Sequence, residues 1–171
     1  MNKLLLFILF LVLALFTNAQ LNPYTTCYTK GFTKKESEKL IFTKLEIEVS
    51  FKGWQTGWRD FVKINISFSN IRKNLLNNTT CFIDSVTVRF VINKQKEMSN
   101  LEIIQANLKS IEEEAMRLFK LSSCYWKPGE NGSRYVNAYH KETLYFIIDK
   151  SGGKLFKGFR IKGLMPIYKV D

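Results

Sequence analysis

The sequence predicts an α+β fold: a small antiparallel sheet of about three strands packed with two helices. Three observations predict it. Val86, Val88, Phe90 and Ile92 alternate with Thr87 and Arg89, the two-residue period of a half-buried strand. Trp58, Phe61, Val62 and Ile66 recur at the spacing of a short helix. Ile111, Ala115, Leu118 and Phe119 make a second helical stripe behind a start signal at Ser110.

In chain order, the first element is a targeting segment. Lys3 supplies a positive start, Leu4 to Phe16 is unbroken apolar chain, and Thr17-Asn18-Ala19 offers small and polar residues for cleavage before Gln20. A spanning helix needs about 20 apolar residues, more than this run supplies, so cleavage is expected and an inner-membrane anchor is the alternative. The expected location is the periplasm. Residues 1–19 then read as a signal peptide, 20–40 as a polar N-terminal tail, 41–150 as the domain and 151–171 as a C-terminal extension. Leu155, Phe156, Phe159 and Ile161 make that extension too apolar for a free terminus, so it is expected to turn at Gly152-Gly153 and cover the edge beside Glu142 to Ile148, or pack beside it.

Within the domain, Leu45, Ile47, Val49 and Phe51 alternate with Glu46, Glu48 and Ser50, which predicts a first strand. Gly53 and Gly57 bracket the turn into the first helix. Asn70 to Thr80 is polar and reads as a loop. The strand over 84–92 turns at Asn93 to Glu97 and returns as Met98 to Ile104. Ser110 is expected to cap the second helix, with Glu113 completing a capping box and pairing with Arg117. Losing that cap in Ser110→Ala is expected to cost roughly 1 kcal/mol. Trp126-Lys127-Pro128-Gly129 breaks the chain and Asn131-Gly132 turns it. Leu144, Phe146 and Ile148 mark the last strand, with Tyr145 and Ile147 on its other face. That strand is expected antiparallel to 84–92, which places 84–92 in the middle of the sheet.

Lys and Arg number 26 against 15 Asp and Glu, a net charge of +11. The lysines are scattered and read as a solvated basic surface. Export argues against a nucleic-acid partner, and leaves contact with lipid or a surface polysaccharide open. The three cysteines, Cys27, Cys81 and Cys124, can form disulfides after export; an odd count leaves one free or intermolecular, and the pairing stays open.

Residues for catalysis are few. His140 is the only histidine and reads as a surface residue at the start of the last strand. Glu112-Glu113-Glu114 reads as helix-start chemistry rather than a metal site. No nucleophile elbow, phosphate loop or paired-carboxylate motif is present, so no enzyme, cofactor or metal is expected. Trp126 is expected to pack over the helix end, and Trp54 and Trp58 to sit in the core rather than to form a ligand platform.

The stretch from Phe51 to Ile148 resembles the C-terminal domain of TonB in the form common among Bacteroidetes. Phe51-Lys52-Gly53 with Trp58, Phe61 and Asn65 is similar to the family's F-x-G-G segment and following helix. Val86 to Ile92, with Val88 and Phe90, matches V-x-V-x-F-x-I. Glu114-Ala115-Met116-Arg117 matches E-A-x-R. Trp126-Lys127-Pro128-Gly129, then Asn131-Gly132 and Val136, matches W-x-P-G … N-G-x-x-V, and Leu144 and Phe146 match the closing I-x-F. The resemblance makes Phe51, Gly53, Val88, Phe90, Ala115, Arg117, Trp126, Pro128, Gly129 and Gly132 structural. It also makes Glu142, Thr143, Leu144, Tyr145, Phe146, Ile147 and Ile148 the strand that pairs with a segment of a TonB-dependent outer-membrane receptor. The implied partner is that receptor or another envelope protein, or a second copy of the chain, in transport across the outer membrane. Trp54 stands where the family has the second glycine of F-x-G-G, and the chain has only three prolines where an energy-transducing TonB has a Pro-rich linker. The alternative is therefore a periplasmic adaptor or assembly protein that reuses the domain without energy transduction.

Overall fold

Twelve consecutive residue pairs join two long antiparallel strands and organise the molecule. They are β3 (Cys81–Ile92) and β7 (Arg134–Asp149), in register from Cys81 opposite Asp149 to Ile92 opposite Ala138. The computed structural model describes residues 27–28, 40–69, 71, 81–149, 156–161 and 168–169. The segment read as a signal peptide, nearly all of the stretch read as the 70–80 loop, and Gly152-Gly153 lie outside these residues.

The remaining elements in chain order are β1 (Ile41–Phe42), β2 (Ser50–Phe51) and α1 (Trp54–Asn65) before β3, then β4 (Met98–Gln105) and α2 (Lys109–Leu121). A short 3-10 turn over Ser123–Tyr125 leads to β5 (Trp126–Lys127), β6 (Gly129–Asn131) and β7, followed by β8 (Phe156–Ile161) and β9 (Tyr168–Lys169). The fold is mixed α+β with two helices, as expected. The sheet is larger than expected: its order is β4-β3-β7-β8-β9, with β1 and β6 also paired to β7, which makes seven strands among the described residues where about three were expected. β3 does lie between β4 and β7. As expected of the C-terminal stretch, its described residues cover the edge of the last strand: β8 pairs with Leu144 to Asp149, and Phe159 and Ile161 belong to the core.

One face of the sheet carries the apolar side chains of β3 and β7, including Val86, Val88, Phe90, Leu144 and Phe146, all buried. The helices bury Trp58 and Val62 from α1, and Ile111, Ala115, Leu118 and Phe119 from α2, in the same core. The hairpin between β6 and β7 turns at Gly132 and Ser133, whose φ angles of 54° and 58° are both positive. Such a pair matches the right-handed twist of the flanking strands, and glycine enters that region without strain.

The first expected strand is largely replaced. Only Ser50 and Phe51 pair, with β5, and Ile47 forms a single bridge to Glu130. Leu45 and Val49 nonetheless turn inward while Ile47 is exposed. The N-terminal tail is not loose where it is described. Cys27 is disulfide-bonded to Cys124, 97 residues away, its carbonyl accepts the amide of Met98, and Tyr28 bridges to Met98. Cys81 is free and exposed.

The second helix starts two residues earlier than its capping pattern predicts. Leu108 is the N-cap and makes no side-chain capping bond. Ser110 lies inside the first turn, and its hydroxyl is buried without a partner. Arg117 pairs with Glu114, not Glu113, at 2.7 Å, and Glu114 is almost fully buried. Glu114 also accepts the Ser67 amide, and Arg117 donates to the Asn65 carbonyl at the end of α1. The hydrogen bonds that Arg117 donates to Glu114 raise the Arg117 pKa above its ordinary value. This network joins the two helices through both ends of one ion pair.

Two stability measurements check this description. Ser110→Ala removes an unsatisfied buried hydroxyl and no cap, so its denaturant midpoint should equal or exceed that of the wild type. Cys27→Ala opens a long loop and should lower unfolding free energy by about 2–4 kcal/mol in the same assay.

Candidate functional site

The strand expected to meet a partner, Glu142 to Ile148, is the C-terminal half of β7, in the interior of the sheet. β3 pairs along one side of it. On the other side β8 pairs antiparallel with Leu144 to Asp149, in register from Leu144 opposite Ile161 to Asp149 opposite Phe156. β1 meets the same edge farther back, parallel, at Asn137 and Ala138. Tyr139 to Thr143 lie between these two partners, with no strand on that side among the described residues. Thr143 bonds the Thr87 hydroxyl at 3.0 Å, and the Arg160 guanidinium lies 4.3 Å from the centre of the Tyr145 ring. Ile147, on the face opposite the main core, is also buried. The apolar residues on both faces of this strand are therefore covered within the chain.

The residues singled out as structural come together from distant parts of the sequence. Phe51 on β2 packs its ring 5.2 Å from both Trp58 and Trp126. Phe90 on β3 lies 4.8 Å from Trp126, edge to face. Phe119 on α2 approaches Trp58 at 5.1 Å. Aromatic pairs in these geometries add to their area burial. Trp126 is 2 % exposed and donates from Nε1 to the Ser122 hydroxyl at 3.0 Å, so it does pack over the end of α2. Pro128 is buried beside it. A Cβ on Gly129 would stand 2.3 Å from Leu45 Cδ1 and 3.0 Å from the Ile47 carbonyl oxygen, so Leu45 would have to move to admit a side chain there. Gly53 precedes α1 with φ 81°.

Two sequence expectations fail here, and they fail at one place. His140 is not a surface residue. By the register of β3 and β7 it shares the core face with Ala138, Glu142, Leu144 and Phe146. Its ring lies 5.3 Å from Trp126 and 5.4 Å from Phe90, and its Nε2 stands 3.5 Å from Glu142 Oε2. Trp54 is not in the core: it is 67 % exposed and has φ 60°.

These residues border a cleft of about 240 Å³. Phe51, Trp58 and Trp126, with His140 and Glu142, are its buried and half-buried lining. Glu48, Trp54 and Gln55 are its exposed lining. The missed signal lay in the parity of β7. Counting back by twos from Ile148, Phe146 and Leu144 puts Glu142 and His140 on the apolar face, where polar side chains are uncommon without a reason.

No protein-family model matches the chain, and no curated protein or solved structure matches it.

Trp126 touches α2, β2 and β3 at once, so Trp126→Ala should cost about 3–5 kcal/mol of stability. A denaturant midpoint unchanged from the wild type would contradict this packing role.

Proposed function

We propose that the chain is an exported protein-binding module that takes an extended segment of a partner by strand addition. The reading rests on the ordered motifs that resemble the TonB C-terminal domain, and makes the partner a segment of a TonB-dependent outer-membrane receptor or another envelope protein. One observation carries the mode of binding. β8 is a six-residue strand laid antiparallel along Leu144 to Asp149, and among the described residues β9 pairs with Gly158 and Phe159 of it. The chain thus adds its own strand at the edge where the partner would pair. Main-chain hydrogen bonds supply affinity in such an addition, and alternate side chains supply selectivity. The Cys27–Cys124 disulfide suits an oxidising compartment outside the cytoplasm.

In this reading β8 occupies the site in the resting protein, and the partner displaces it. A second reading, an adaptor or assembly protein without energy transduction, is favoured by the burial of Phe159 and Ile161, which holds β8 in place. Exchange of β8 between two copies would give a homodimer by the same pairing.

A covalent lock tests the displacement. Tyr145 and Arg160 are opposite each other in the ladder. Tyr145→Cys with Arg160→Cys, built on Cys81→Ser, ties β8 to β7. Calorimetry with a TonB-box peptide should show binding to the Cys81→Ser parent and none to the locked protein. Equal binding by both would mean that β8 is not displaced, and no binding by either would leave the adaptor reading.

A further inference from the structure

We infer that the aromatic cleft behind β2 is a binding site for a single unit of a neutral saccharide. The inference stands apart from strand addition, because the cleft opens on the core side of the sheet and not along a strand edge.

Three features of this chain converge on it. The first is the interruption of the core face of β7. Ala138, Leu144, Phe146 and Ile148 are buried apolar residues, and His140 and Glu142 stand between them on the same face. Their side chains are only 19 % and 16 % exposed, and the 3.5 Å contact between them satisfies one atom of each. Desolvating an imidazole and a carboxylate beside Trp126 is costly unless other polar groups reach them. A site that opens at this position supplies that contact when a ligand with hydroxyls enters.

The second feature is Trp54. It stands at a left-handed φ, where a bulky side chain is strained and the resembled segment carries glycine. It nevertheless leaves its indole exposed at the cleft, contributing little to the core. A strained residue with no packing role is better accounted for by a contact made outside the chain. The third feature is Trp58. It lines the cleft as a buried ring packed against Phe51 and Trp126, so the site has a fixed aromatic wall.

The chemistry of the lining selects the ligand class. Its charged groups are Glu48 and Glu142, and neither lysine nor arginine contributes to it, although the chain carries 26 of them. The carboxylates repel an anion. A purely apolar ligand leaves the carboxylates and the imidazole unpaired. A compact cation satisfies the carboxylates and offers no acceptor to the N–H groups of His140 and Gln55. A pyranose ring meets all of them: its C–H face stacks on an indole, its hydroxyl hydrogens go to carboxylates, and its oxygens accept from the His140 and Gln55 N–H groups. The volume of about 240 Å³ suits one small ring and not a longer chain held end to end.

Intrinsic tryptophan fluorescence of the full chain tests this, since three tryptophans border the cleft. The probes are the methyl glycosides and disaccharides of glucose, galactose, mannose and N-acetylglucosamine, with galacturonate as the anionic and choline as the cationic comparison. The expected result is a saturable change with at least one neutral saccharide, and none with galacturonate or choline. Trp54→Ala should weaken that binding at least tenfold and leave the melting temperature unchanged, because Trp54 is exposed. Glu142→Ala should also weaken it. Failure of every neutral saccharide to saturate would overturn the proposal. Saturation by choline instead, or equal saccharide binding by Trp54→Ala, would overturn it as well.

Discussion

The ladder between β3 and β7 is the constraint on which the rest of the structure depends. Its twelve pairs run without a break from Cys81 and Asp149 to Ile92 and Ala138. A strand has a side-chain period of two, so a shift of one residue would send Val86, Val88 and Phe90 to the opposite face. The register that buries them also brings Leu144 and Phe146 inward. It equally brings His140 and Glu142 inward, against the usual preference of those residue types. The polar part of the cleft is therefore a consequence of the same pairing that makes the core.

Around this ladder the aromatic side chains act as the joint between elements that share little backbone pairing. β2 and β5 are two residues each and meet only one another. What holds them to the domain is the packing of Phe51 and Trp126 against Trp58, Phe90 and Phe119. Large rings suit this role because each buries much area with few rotatable bonds. The Glu114–Arg117 pair performs a related task at the helix ends. It fixes Ser67 and Asn65 to α2, and so sets where α1 finishes relative to the sheet.

The two candidate surfaces differ in what already occupies them. The edge of β7 is covered from Leu144 onward by β8, so a partner strand proposed to bind there would compete with β8 for one ladder. The burial of Phe159 and Ile161 sets how strongly the chain's own strand competes. The cleft is bordered by His140 and Glu142, which contact each other at 3.5 Å and are each only half-satisfied. One site is limited by displacement and the other by fit. Changes at Trp54 and changes at β8 therefore act on separate equilibria.

Local pattern determined the elements whose signal lies within a few residues. The alternation of 86–92 marked β3, the polar break at Asn93 to Glu97 marked the hairpin, and the helical stripes marked α1 and α2. The resemblance-carrying residues Val88, Phe90, Ala115 and Trp126 were legible as core for the same reason: apolar periodicity survives in any fold that buries one face. Tertiary structure decided the rest. The start of α2 at Leu108 depends on how Ser110 is buried, which a capping pattern does not report. The pairing of Cys27 with Cys124 requires their Cα atoms to come within 5.2 Å across 97 residues. The addition of β8 depends on an unpaired edge that exists only once β3 and β7 have met. His140 and Glu142 became lining residues because register, not residue type, assigns a strand residue to a face. The sequence by itself determined β3, its hairpin and the two helices, since those preferences are local, and the apolar tail already pointed to a covered edge. Which residues of that tail pair, and which polar residues are drawn inside, were decided only by long-range pairing.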